Sequence, residues 1–206
     1  MKNSDKIILD LCGGTAAWSR PYREAGYDVR LVTLPERDVR IWETYREILD
    51  PVQEGRIYGI LAAPPCTMFS LARTNAKTDR DFERAMEVVE GCLRCIWEAQ
   101  YKQVSRTAKH TRLKFWALEN PNGMLKYFLG KPAFEFSPYE FGDGYKKRTC
   151  LWGHFNEPIT KRIKNPFALY GEIKDIHPEK FGELTRTERR AITPTGFANA
   201  FFKANQ

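Results

Sequence analysis

Three short apolar runs, each broken at once by a chemistry-bearing motif, constrain this chain more than any other feature. Lys6-Ile7-Ile8-Leu9-Asp10-Leu11 runs into Cys12-Gly13-Gly14-Thr15, and Ile57-Tyr58-Gly59-Ile60-Leu61-Ala62-Ala63 runs into Pro64-Pro65-Cys66. Lys114-Phe115-Trp116-Ala117-Leu118 runs into Glu119-Asn120-Pro121. Runs this short and apolar suit strands covered on both faces, as in a parallel sheet. Before the third run, Phe82, Met86, Val89, Leu93, Ile96 and Trp97 recur mostly three or four apart, which predicts an amphipathic helix over Asp81–Tyr101. Trp18–Ala25 predicts a helix stopped by Gly26, and Tyr27–Thr33 a strand closed by Pro35. Strands alternating with helices predict an α/β fold with a mostly parallel sheet. In such sheets ligands bind outside the carboxyl ends of the strands, where all three motifs fall.

The remainder is less periodic. Phe134–Phe155 carries strand-like aromatics, residues 156–190 are polar and Pro-bearing and predict a small insertion, and Thr195–Asn205 predicts a closing helix. At 206 residues the chain suits one domain, and 42% hydrophobic residues exclude intrinsic disorder. Without an apolar run of about 18 residues or a secretory h-region, neither a transmembrane helix nor a membrane partner is expected. Five cysteines without framework spacing predict free thiols and a cytoplasmic protein. Cys92-Leu93-Arg94-Cys95 has no second ligand pair at zinc-site spacing, so both thiols are expected in the core and no metal is expected.

Charge suggests a partner. Lys and Arg number 33 against 26 Asp and Glu, a net charge of +7. Lys102, Arg106, Lys109, His110, Arg112 and Lys114 cluster without an intervening acid, as do Lys146, Lys147 and Arg148, and then Lys161, Arg162 and Lys164. Such clusters can follow nucleic-acid phosphates, although each also reads as a solvated loop.

Each strand-end motif has a chemical reading and a plainer one. Glycine after the first run lets the backbone approach a ligand, or simply turns the chain into a helix. Pro64-Pro65 holds an extended, donor-free backbone and aims Cys66 outward; a thiol there is a nucleophile or a small buried hydrophobe. Glu119 offers a carboxyl for proton transfer or a base edge, while Asn120 and Pro121 also read as a helix N-cap and first helical residue.

Together, and in this order, the motifs resemble the C5-type cytosine DNA methyltransferase family. Asp10-Leu11-Cys12-Gly13-Gly14 resembles its glycine turn for S-adenosylmethionine, and Asp38-Val39-Arg40 the Asp-Ile step that meets the cofactor's adenine. Pro65-Cys66 resembles the Pro-Cys-Gln motif of the nucleophile, Glu119-Asn120-Pro121 the Glu-Asn-Val motif, and Lys146 with Arg148 the paired arginines of Gln-x-Arg-x-Arg. The resemblance implies the doubly wound, Rossmann-like sheet of class I S-adenosylmethionine-dependent methyltransferases, as a single catalytic domain. It implies Cys66, Glu119 and Arg148 as catalytic residues. Asp10, Cys12, Gly13, Gly14, Thr33, Asp38 and Pro64 would meet the cofactor, and Pro65, Thr67, Ser70, Asn120 and Lys146 the DNA substrate, its cytosine flipped out or single-stranded.

The departures are specific. Thr33 stands where the family carries an acid for the ribose hydroxyls, with Glu36 nearby; Thr67 replaces the glutamine after the nucleophile, and Gly144 that of the later motif. Only about 40 residues separate Gly153 from the final helix, against a sizeable recognition domain in sequence-specific members, which points to relaxed specificity or a separate specificity subunit. RNA cytosine remains an alternative substrate, and a non-catalytic binding module an alternative class. An amino-group methyltransferase fits poorly, because Ala63 precedes the Pro-Pro pair and Cys66 follows it.

Overall fold

A computed structural model describes residues 2–48, 56–71, 73, 77–105, 113–162, 184–185, 189 and 191–206. Strands β1 (Ile7–Leu11), β2 (Asp28–Val32), β3 (Ile57–Ala62), β4 (Phe115–Pro121), β5 (Phe134–Phe136) and β6 (Thr149–His154) form one sheet in the order β2-β1-β3-β4-β6-β5. The first four strands run parallel, and β6 is antiparallel to both of its neighbours. Helices α1 (Arg20–Glu24), α2 (Trp42–Ile48), α3 (Phe82–Ser105), α4 (Lys126–Leu129) and α5 (Thr195–Ala204) complete the described elements, with two 3-10 turns. The architecture is α/β with a mostly parallel, mixed sheet, compatible with a Rossmann-like fold. Among the described residues no helix is long and apolar enough to cross a membrane.

Side-chain alternation sorts the strands between two apolar layers. Leu9 and Leu11 of β1, Ile60 of β3 and Leu118 of β4 pack with Val89, Cys92, Cys95 and Ile96 of α3. Ile8, Leu61, Phe115 and Ala117 face the other way, toward Trp18, Tyr22 and the α5 residues Phe197 and Phe201. Trp18 meets Phe197 and Phe201 at ring-centroid separations of 5.8 and 5.4 Å. Burying each such ring contributes about 1.5–3 kcal/mol. α5 is therefore held by its apolar face, and Cys92 and Cys95 are core residues of α3.

Two local expectations are corrected. The helix expected over Trp18–Ala25 is confined to Arg20–Glu24, because Gly14 and Ala16 adopt φ of +52° and +57° and keep the preceding chain in turns. Its end is as expected: Gly26, at φ +83°, donates its N–H to the Arg23 carbonyl. Glu119-Asn120-Pro121 caps no helix. It continues β4, because β6 supplies partners in the register Glu119↔Leu151, Asn120↔Cys150 and Pro121↔Thr149. Residues 156–162, the described start of the expected insertion, contain no helix or strand, and residues 163–183 lie outside the described residues. Asn156 is tied to the chain end, its N–H donating to Asn205 Oδ1 at 2.8 Å.

Candidate active site

Strand parity decides which side chains meet at the carboxyl ends. Asp10 shares the face of Ile8, and Glu119 that of Phe115 and Ala117, so both carboxyls emerge on the α1–α5 side. Lys147, two residues before β6 begins, reaches the same place beside Glu119. These groups line a cavity of about 320 Å³ together with Cys12, Gly13, Gly14, Trp18, Pro64, Pro65 and Cys66. Leu184 and Ile192 form part of its wall from the C-terminal part of the chain.

Asp10 is fully buried under the glycine turn and accepts a hydrogen bond from the Ser19 hydroxyl. Burial pushes its carboxyl up to about 6, against the opposing effects of Ser19 and Arg23. A Cβ on Gly13 would lie 2.5 Å or less from three heavy atoms of the Asp10 carboxylate, so only glycine allows this approach. Asp10 Oδ1 and the Trp18 Nε1 are both buried without a hydrogen-bond partner among the described residues. Such orphaned groups cost about 1–3 kcal/mol each, and here both belong to residues lining the cavity.

Cys66 begins a fixed turn. Its carbonyl accepts from the Phe69 and Ser70 N–H groups at 3.0 and 2.8 Å, and the Arg80 guanidinium donates to the Met68 and Ser70 carbonyls. Asn120, buried on the opposite face of β4 from Glu119, donates from Nδ2 to the Pro64 carbonyl at 3.0 Å. That bond fastens the Pro64-Pro65-Cys66 segment to the strand that carries Glu119. Lys147 Nζ lies 3.8 Å from Glu119 Oε1. Burial raises the Glu119 carboxyl above its ordinary value, and Lys147 partly offsets the rise.

A second cavity, of about 340 Å³, lies beyond the wall formed by Cys12 and Pro65, which line both. Thr33 and Asp38 line it, along with Arg37, Arg40 and Arg84. The Asp38 carboxylate accepts from the Arg40 guanidinium at 2.6 Å, and those hydrogen bonds hold it below the usual carboxylate range. Glu36, the alternative ribose partner, is exposed and outside the lining.

The structure thus brings together Asp10, Cys12, Gly13, Gly14, Pro64, Pro65, Cys66 and Glu119, with Thr33 and Asp38 in the adjoining cavity. It does not bring in Arg148 or Lys146. Arg148 is exposed and pairs with Glu135 of β5 at 2.9 Å; Lys146 is exposed. Both flank Lys147 in the segment that leads into β6, with their side chains exposed. Lys147 is the cation that sequence reading missed as a site residue; its place in the Lys146-Lys147-Arg148 run was the only signal, and the run does not single it out. Thr67 is exposed, Ser70 forms a bridge with Gly123, and Asn120 supports the site from behind. Of the basic clusters, residues 106–112 and Lys164 lie outside the described residues, and Arg162 pairs with Glu140 at 2.8 Å. Among the described residues no three His, Cys, Asp or Glu side chains converge as a metal site.

No family model and no curated protein matches the chain.

Proposed function

We propose that the chain is an S-adenosylmethionine-dependent DNA cytosine C5 methyltransferase on a class I, Rossmann-like sheet. One observation carries the reading: the Gly13-Gly14 turn, Cys66 and Glu119, each some fifty residues from the next, line one cavity at the strand carboxyl ends. The sheet order supports it, because the neighbours of β1 are reached in opposite directions, and a reversal of that kind opens a ligand crevice.

The residues present fit the cofactor. Its amino-acid end carries an ammonium and a carboxylate, and Asp10 and Trp18, which line the first cavity, hold a carboxylate oxygen (Oδ1) and an N–H donor (Nε1) buried at its wall without a partner among the described residues. Gly13 and Gly14 leave backbone room beside them, and Thr33 and Asp38 would hold the adenosyl end in the second cavity. When bound, the cofactor supplies an electrophilic methyl group. Cys66, as thiolate, adds to C6 of the cytosine and turns C5 into a nucleophile. Glu119, its carboxyl raised by burial, holds the N3 and N4 edge and stabilises the proton at N3. Lys147, beside Glu119, favours its ionised form and partly offsets the effect of burial. Loss of the C5 proton then expels Cys66.

Without phosphate contacts from a large recognition region, the basic surface would bring in DNA with little sequence preference, or a separate subunit would supply it. Incubation with a 5-fluorocytosine oligonucleotide and cofactor tests the reading. A covalent protein–DNA adduct is expected, absent in Cys66→Ala; methyl transfer undiminished by that substitution overturns the nucleophile assignment. A matched RNA oligonucleotide gives the substrate preference.

A further inference from the structure

Cys12 is not needed as a nucleophile in this reading, yet it stands in the wall shared by both cavities. Its sulfur lies 3.9 Å from Cys92 Sγ, which projects from α3 and is fully buried. We propose that Cys12 and Cys92 are a modification site, a thiol pair that a hydroperoxide converts to a disulfide fastening the glycine turn to α3.

Three observations support the pairing. Cys12 holds φ of +58°, a conformation that few residues other than glycine adopt, at the end of β1. This places its side chain against α3 while the next two residues turn toward the helix α1. α3 packs closely against the chain after β2: a Cβ on Gly91, beside Cys92, would lie 2.7 Å from the Val39 carbonyl oxygen. The helix backbone is therefore seated on the loop that follows β2. Finally, Cys12 is half-buried and reached from the cavities, whereas Cys92 and Cys95 are enclosed in the core.

Exposure sets the order of events. The Cys12 thiolate attacks the peroxide O–O bond, giving a sulfenic acid and releasing an alcohol or water. The Cys92 sulfur then attacks the Cys12 sulfur, the S–S bond forms, and the sulfenic oxygen leaves as water. Two thiols lose two protons and two electrons, and the peroxide is reduced. The hydrogen bond with Cys12, and then burial, hold the Cys92 thiol well above its ordinary value, so the second step is slow relative to an exposed pair. The sulfurs must close from 3.9 Å to about 2.05 Å, which draws the Cys12 side chain out of the shared wall.

Treating the full chain with hydrogen peroxide, then mapping peptides without reduction, tests the pair. The expected product is two hydrogens lighter, joins the Cys12 and Cys92 peptides, reverts with dithiothreitol, still forms in Cys66→Ser and is absent in Cys92→Ser. Cys12 ending as sulfinic or sulfonic acid with Cys92 free, or joined instead to Cys66 or Cys95, overturns the proposal. Its consequence for the cavities rests on the proposed function and has its own readout: S-adenosylhomocysteine should bind the oxidised protein about tenfold more weakly than the reduced one. Equal affinity in the two forms refutes that consequence. Failure of S-adenosylhomocysteine to bind either form counts against the cofactor reading and leaves the disulfide map standing.

Discussion

Replacing Asp10 by Asn separates what the buried carboxylate does for the site from what it costs the fold. Asp10 ionises near 3.8 when free and at about 6 in the folded chain, with burial the largest cause. At 1.36 kcal/mol per tenfold change in proton affinity, the difference is about 3 kcal/mol. Its sign follows from proton counting. Between about pH 4 and pH 6 the folded state holds a proton that the unfolded state has released, so stability falls as pH rises through this window. Above it both states are ionised and the full cost is present. Asparagine keeps an oxygen that accepts from the Ser19 hydroxyl but carries no charge. The stability of Asp10→Asn relative to the parent should therefore rise by about 2 kcal/mol from pH 4 to pH 7, most of the full difference. Urea denaturation at constant ionic strength, followed by tryptophan fluorescence, measures it. A difference that stays flat across this range, or that shifts toward the parent as pH rises, refutes the assignment of a strained, ionised Asp10. The same variant should bind S-adenosylhomocysteine more weakly, since a neutral amide attracts an ammonium less than a carboxylate does: a group kept for binding at the expense of stability.

Other outcomes follow from the same geometry. Gly13→Ala should destabilise the chain by about 1–3 kcal/mol through overpacking against Asp10, and the penalty should shrink in an Asp10→Ala background, where the clashing atoms are gone; equal penalties in both backgrounds would place the strain elsewhere. Lys147→Met should raise the pH at which Glu119 ionises, because the cation that lowers it is removed, as read by isotope-edited infrared titration of the carboxyl. Arg148→Met should leave that titration unmoved and change stability by less than about 1 kcal/mol, as its pair with Glu135 is exposed.

Much of the frame is legible along the chain. The three apolar runs became β1, β3 and β4 because each is short, continuous and ended by residues that turn or stiffen the backbone. The period of Phe82, Val89 and Ile96 became α3 because a helix with one apolar stripe has to bury it on the sheet. The helix expected over Trp18–Ala25 formed as Arg20–Glu24, after a turn with positive φ at Ala16, a conformation that no local propensity signals. Glu119-Asn120-Pro121 reads locally as a cap. It became strand because β6, some thirty residues further on, offered hydrogen-bond partners.

The site divides along the same line. Residue types and their order determined the chemistry: a thiol after Pro-Pro, a carboxyl at a strand end and glycines after a strand are properties of covalent structure and local backbone. Which groups meet was decided by the tertiary fold. The segment leading into β6 put Lys147 beside Glu119 and left Lys146 and Arg148 exposed, and its course is set by the long-range pairing of β6 with β4. Burial of Asp10, the orphaned Trp18 Nε1 and the approach of Cys92 to Cys12 likewise exist only once both faces of the sheet are covered. Charge state, desolvation and sulfur–sulfur distance depend on neighbours remote in sequence, so no reading of the chain alone contains them.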